Sequence, residues 1–269
     1  MDMQSHFGSD SPLVGMVHLS PLPGSPRFDG DRRQVRGRAL ADAYSLVEGG
    51  FDSLVVENLG DAPYYPDDVP KHTVAEMTAV ARELGIGVDC PYGINVLRND
   101  AEAALSVAAA GGGSFVRVNV HTGTRGTDQG LLDGRAHETL RLRDRIDADV
   151  AILADVAVKH SAPVAERDVG TLATETIERG LADGLVVSGP ATGAAADADE
   201  LTAVLDARDD ADPDVPVFVG SGVTPDNAAA LLDVADGLIV GTALKADGET
   251  ENPVEQHRVE AFVDAVRGE

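Results

Sequence analysis

The strongest constraint on this chain is a repeat of form. Short runs rich in Val, Ile and Leu alternate with helical patterns from one end to the other. The runs are Val14–Leu19, Ser53–Asn58, Gly87–Cys90, Phe115–Val120, Ala151–Val156, Gly184–Gly189, Val215–Gly220 and Gly237–Gly241. Near-continuous apolar runs are what strands buried on both faces of a parallel sheet require. Between them, Leu40, Ala43, Tyr44 and Val47 fall at i, i+3, i+4 and i+7 and make one apolar stripe. Thr73 with Glu76 reads as a capping box ahead of the Met77, Val80, Ala81 and Leu84 stripe. Thr224 before Pro225 and Asn252 before Pro253 read as further helix starts. Val259, Phe262, Val263 and Val266 give the last helix its buried face.

Eight strand–helix units, one roughly every 30 residues, demand right-handed parallel crossovers and fit a single (β/α)8 TIM barrel. An open doubly wound sheet is the competing arrangement, but no GxGxxG follows the first strand. With no linker or low-complexity tract, residues 1–269 read as one barrel domain, residues 1–12 being an expected flexible terminus. The strand-to-helix links are the long ones: Ser20–Asp31, Leu59–His72, Pro91–Asn99, His121–Gly134 and Ala157–Arg167. In a barrel these all emerge at the C-terminal face, and long irregular loops usually carry function.

Charge narrows the classes of partner. There are 46 acidic and 21 basic residues, a net charge of −25. That argues against a nucleic-acid groove and against docking on anionic lipid. Only Lys71, Lys159 and Lys245 are lysines, and such an acidic, lysine-poor surface suits high salt, where repulsion is screened. No apolar run is long enough to span a bilayer. The N-terminus carries no signal-peptide core, and Cys90 has no partner, so a cytoplasmic protein is expected.

Polar residues gather where strands should end. His18, Glu57, Asp155 and Lys159 are the candidate catalytic groups: acids or bases, with a lysine able to stabilise an enolate or act as a nucleophile. Asp155 is expected either to pair with Lys159 or to serve as a base. Asn58, Asp89, Asn95, Arg117, Asn119 and His160 are candidates for substrate contacts. A phosphate cradle is expected from Ser188, Gly189, Thr192, Gly193, Gly220, Ser221, Gly222, Gly241 and Thr242, where small residues let backbone N–H groups approach an anion. Lys245 is a candidate countercharge. Glu57, Asp89, Asp155 and His18 are candidates to ring a divalent metal, but no HExxH or paired-cysteine spacing supports one, and no cofactor is predicted. Tyr64, Tyr65 and Tyr92 are expected in loops. The segment from His121 to Gly130 is suited either to a lid bearing Arg125 or Asp128 or to a subunit contact in a homo-oligomer.

Long motifs also resemble one known family. They are Gly15-Met-Val-His-Leu-Ser-Pro-Leu-Pro-Gly-Ser-Pro26, Val56-Glu-Asn-Leu-Gly-Asp61, Gly93-Ile-Asn-Val-Leu-Arg-Asn-Asp100 and Phe115-Val-Arg-Val-Asn-Val120. Asp128-Gln-Gly130, Ala154-Asp-Val-Ala-Val-Lys-His160, Gly220-Ser-Gly222 and Val240-Gly-Thr-Ala-Leu-Lys245 continue the match. Together they resemble the BtpA family over nearly the whole chain. The resemblance implies a barrel like the ribulose-phosphate-binding ones. The family takes its name from photosystem I biogenesis, but similar proteins occur beside sugar-transport genes and in non-phototrophs. The acidic surface is similar to that of a salt-loving archaeal branch, where a photosystem client is not expected. Three functions follow as expectations: an enzyme acting on a small phosphorylated metabolite by lyase, aldolase or isomerase chemistry; a non-catalytic assembly factor for a membrane complex; and a phosphometabolite sensor.

Overall fold

The computed structural model describes residues 1–189, 193 and 196–268. Eight parallel strands close into a barrel. In chain order they are β1 (Leu13–His18), β2 (Ser53–Glu57), β3 (Tyr92–Asn95), β4 (Phe115–Val118), β7 (Ala151–Asp155), β9 (Gly184–Val187), β10 (Val217–Val219) and β11 (Gly237–Val240). Each neighbours the next, and β11 returns to pair with β1. The strands β5 (Thr124–Thr127), β6 (Gly130–Asp133) and β8 (Ala162–Pro163) form a small antiparallel sheet apart from the barrel. Helices α2 (Arg32–Glu48), α3 (Lys71–Gly87), α4 (Ala101–Gly111), α5 (Ala136–Arg145), α6 (Val169–Glu178), α7 (Ala198–Ala211), α8 (Ala228–Leu232) and α9 (Gln256–Arg267) belong to the outer layer.

Two apolar layers hold this together. One lies between strands and helices and includes Val17, Leu46, Val56, Met77, Leu84, Ile152, Val204 and Phe262. The other fills the barrel itself with Val14, Met16, Val55, Phe115, Leu153, Val186, Phe218 and Ile239. Residues 1–12, expected as a loose tail, contribute to the second layer. The short helix α1 (Met3–Phe7) is capped by the Asp2 side chain and inserts Phe7, fully buried, against Phe115 and Phe218 at ring-centroid distances of 4.5 and 5.0 Å. A barrel needs a floor, and an aromatic plug supplies both area and tilted ring packing.

The N-terminal rim is stitched by a repeated device. Asp52, Asp183 and Asp236 each accept a backbone N–H at or next to the start of a neighbouring strand, at Leu13, Ile152 and Val217. Each also pairs with an arginine: Arg267, Arg143 and Arg208 respectively.

The third strand is displaced from its expected place. Helix α3 continues through Gly87, and the strand is Tyr92–Asn95 instead of Gly87–Cys90. Gly93 and Asn95 looked loop-like, yet the glycine is a packing requirement. A Cβ there would lie 2.3 Å from the Phe115 ring, so a bare backbone makes room for the large inner side chain. Tyr92, expected in a loop, is in the strand, and its hydroxyl bonds the carbonyls of Ala81 and Gly111. Helix α3 also begins before the expected box: Pro70 is its N-cap, and Thr73 is buried in the first turn. At α8 the Asn227 side chain does the turn-closing, accepting from Thr224 N–H and donating to the Gly222 carbonyl.

Candidate active site

The alternation of side chains along a strand decides which polar residues reach the barrel interior. Val14 and Met16 face inward, so His18 does too; Val55 sets Glu57, and Phe115 sets Arg117 and Asn119. Leu153 sets Asp155 and Val186 sets Ser188, while Phe218 and Ile239 put Gly220 and Gly241 on the inner side. Strand register then aligns four of these groups. His18 pairs with Glu57, Glu57 with Asn95, and Asn95 with Arg117, making one polar row across β1, β2, β3 and β4. All four are buried.

Arg117 is the hub of one half. Its Nη2 donates to Asp155 Oδ1 at 2.9 Å and to Ser188 Oγ at 3.2 Å. Asn119 Nδ2 donates to Asp155 Oδ2 at 2.7 Å, and Asn95 Nδ2 donates to the Arg117 carbonyl at 2.9 Å and to Asn119 Oδ1 at 3.1 Å. Burial works against the Arg117 charge, but the carboxylates of Asp155 and Glu57 offset it and hold its pKa above the ordinary value. The expected Asp155–Lys159 pair is therefore not formed. Asp155 lies within the Arg117–Asn119 network, which both its oxygens satisfy, and is not a free base.

The other half is a facing pair. His18 Nε2 lies 3.6 Å from Glu57 Oε2, and His18 Nδ1 lies 3.3 Å from the Thr250 carbonyl oxygen. Burial, aided by the cations Lys245 and Lys159, lowers the His18 pKa well below 6.5, so the ring is neutral at pH 7. A carbonyl can only accept, which puts the ring proton on Nδ1 and leaves Nε2 bare. Nε2 and the Glu57 carboxylate then both present lone pairs. The gap between them calls for a shared proton or a donor group from a ligand.

Lys159 stands beside this pair. Its pKa is lowered by burial and by Arg117, against the pull of Glu57 and Asp155. Its ammonium has no carboxylate within 4.0 Å among the described residues. One hollow of about 160 Å³ is lined jointly by His18, Glu57, Arg117, Lys159, Gly193, the run Gly220 to Thr224, Gly241, Thr242 and Thr250. The backbone N–H groups of Gly222, Val223, Thr242 and Ala243 make no hydrogen bond to the described residues. Free N–H groups around a concave wall suit an anion. Gly220 cannot carry a side chain: a Cβ would stand 2.5 Å from Val186 Cγ1 and 2.9 Å from Ser188 Oγ. The Ser221 hydroxyl accepts from Gly189 N–H, and the Thr242 hydroxyl meets that of Thr250.

Other expected members lie elsewhere. Asp89 precedes β3 and is exposed at the opposite end of the barrel, so the proposed metal ring does not assemble. Among the described residues, no three His, Cys, Asp or Glu side chains are grouped to hold a metal. Asn58 alternates outward from Glu57, and its amide is consumed by Leu97 and Asp61. Lys245 is fully buried on Asp42 and the Met16 carbonyl, and does not serve as an anion countercharge. His160 is exposed at the rim of a second hollow, and Thr192 lies outside the described residues. Thr250 and Arg98 also line these hollows, and the sequence alone gives neither a role. Neither carries a local signal, since both arrive at the mouth from loops.

Fold and mouth together define a (β/α)8 barrel with a polar cleft at the C-terminal ends of its strands. Its shape is similar to phosphoribosylanthranilate isomerase of Thermotoga maritima (TM-score 0.58, 15% identity, 96% of this chain and 100% of that one). It is also similar to a solved chain described as native KDPGal (TM-score 0.57, 17% identity, 97% and 96%). Likeness at that identity is a likeness of fold. In sequence the chain belongs to the BtpA family, whose pattern matches residues 9–268. It is 44% identical to the photosystem I biogenesis protein BtpA of Synechocystis over 99% of this chain and 91% of that protein. It is 46% identical to an uncharacterised protein of Thermococcus kodakarensis (95% of each chain), and 32% identical to the putative sgc region protein SgcQ of Escherichia coli (97% and 96%).

Proposed function

We propose that the chain is an enzyme that moves a proton on a small phosphorylated metabolite, in lyase, aldolase or isomerase chemistry. The observation that carries this reading is the shared hollow. His18, Glu57 and Lys159 line the same cavity as the glycine loops with their unbonded N–H groups. The phosphate would rest on the Gly220–Ser221–Gly222 and Gly241–Thr242 loops, with Ser188, Gly189 and Gly193 at its edge. Glu57 would take a proton from the carbon or hydroxyl beside a carbonyl, with neutral His18 relaying it. Lys159 would stabilise the negative oxygen that develops, which counts for more in a partly desolvated site than in water.

The test is a thermal-shift screen against phosphorylated metabolites in molar salt, since a ligand of the native state raises the midpoint by mass action. Turnover of the hit is then compared in Glu57→Gln and Lys159→Ala. Full activity in both variants sinks the catalytic roles, and tight binding without product converts the reading to a sensor. We further read the acidic surface as salt-adapted and the half-buried, unbridged Cys90 as fitting a cytoplasmic protein. No helix among the described residues is long and apolar enough to cross a membrane.

The name of the Synechocystis relative favours a second reading, an assembly factor that works through the barrel exterior. A pulldown that recovers no membrane complex counts against it.

A further inference from the structure

Beside the glycine-walled hollow lies a larger one, of about 400 Å³, which shares Glu57, Leu59 and Lys159 with it. Its other walls are Tyr64, Leu97, Arg98, Asn119, Asp128 and His160. Asp128 comes from the turn of the β5–β6 hairpin, so the small antiparallel sheet borders this chamber.

The charge inside is the informative feature. Arg98 is 4% exposed, yet among the described residues its one side-chain hydrogen bond is from Nη2 to the Lys159 carbonyl oxygen, at 2.7 Å. Among the described residues no carboxylate lies within 4.0 Å of the Arg98 guanidinium or of the Lys159 ammonium. The two carboxylates on this chamber, Glu57 and Asp128, pair with neither. The chain has 46 acidic residues for 21 basic ones, and the other deeply buried cations, Arg117 and Lys245, each hold a carboxylate. Leaving a buried guanidinium and the half-buried ammonium beside it unpaired is costly, and a guanidinium fork matches an oxyanion in both charge and geometry.

We propose that the second chamber binds an anionic group of the substrate, so that the substrate is anionic at both ends. This rests on the phosphate reading above: one end would be the phosphate on the glycine loops, and the other a carboxylate or second phosphate on Arg98. The reacting carbon then lies between them, where Glu57 and Lys159 line both chambers. Arg98 becomes a specificity-determining residue.

A matched pair of probes tests this by calorimetry. Glucitol 6-phosphate and 6-phosphogluconate share a phosphate and a polyol chain and differ at the far end, CH2OH against carboxylate. Inorganic phosphate reports the glycine loops alone, and fructose 1,6-bisphosphate offers a second phosphate. The expected result is that the wild-type protein prefers 6-phosphogluconate or the bisphosphate to glucitol 6-phosphate by about tenfold or more. Whichever is preferred identifies the second group. Arg98→Met and, separately, Arg98→Gln should shrink that margin while leaving the affinity for inorganic phosphate within about twofold. The second variant guards against a folding defect in the first. Equal affinity of the wild-type protein for glucitol 6-phosphate, 6-phosphogluconate and the bisphosphate overturns this inference and leaves the phosphate reading standing. Failure of inorganic phosphate and of every phosphoester to bind overturns the phosphate reading, and this one with it.

Discussion

Asp155 faces Arg117, not Lys159: Oδ1 accepts from the guanidinium Nη2 at 2.9 Å inside the barrel, with both side chains almost wholly removed from solvent. Breaking a buried pair strands its surviving charge, which costs about 3–5 kcal/mol. Asp155→Asn is therefore expected to lose stability on that scale in denaturant titrations. Asp155→Leu combined with Arg117→Met should recover much of it. A loss below ~1 kcal/mol with turnover abolished would instead make Asp155 a catalytic group.

The His18–Glu57 pair yields a pH signature. The folded pKa of His18 lies well below 6.5, and burial lowers that of His121 as well. The unfolded chain then takes up protons that the folded chain refuses, so stability rises with pH across that interval. The contribution is complete above pH 6.5 and is lost as pH falls below it, with a slope of at most ~1.4 kcal/mol per pH unit for each histidine. Melting midpoints of the wild-type protein are expected to fall between about pH 7 and pH 5, and His18→Gln should flatten that fall. An unchanged profile in the variant would mean that His18 takes up its proton as readily in the folded chain as in the unfolded one.

Gly220→Ala tests the glycine wall. The added Cβ would crowd Val186 at 2.5 Å and Ser188 Oγ at 2.9 Å, and stand 3.3 Å from Arg117 Nη2. Overpacking of this kind costs about 1–3 kcal/mol. The displaced loop should also lose most of the thermal shift induced by phosphorylated ligands. Retention of both stability and shift would show that this wall yields freely.

Phe7→Ala tests the floor of the barrel. Removing a buried phenyl ring costs about 3–5 kcal/mol, and this ring touches only the far end of the interior, beside Phe115 and Phe218. Chemical denaturation should register the loss, while ligand affinity at the mouth stays within about twofold. A variant as stable as the wild-type protein would show that the N-terminal helix is not part of the core.

Lys245 and Asn58 show why parts of the site were hidden from the sequence. Lys245 follows β11 much as Lys159 follows β7, and nothing local separates them. Only the packing of α2 puts Asp42 within 3.2 Å of Lys245, making one lysine structural while the other has no carboxylate partner among the described residues. Asn58 and Glu57 are adjacent in sequence and face opposite sides of the wall. Counting by twos from Val55 would have separated them. The same count from a wrongly placed third strand would have promoted Asp89 and missed Asn95.

The order of strands and helices, and the gathering of polar groups at strand ends, was determined by sequence alone. Hydrophobic period is a local property, and eight parallel crossovers leave few ways to bury every strand. Which charges are paired and which are left waiting was decided only by closure of the barrel. Residues as distant in sequence as His18 and Thr250, or Arg98 and Lys159, come within hydrogen-bonding reach only when β11 meets β1 and the loops converge. Burial then makes each unpaired charge energetically conspicuous.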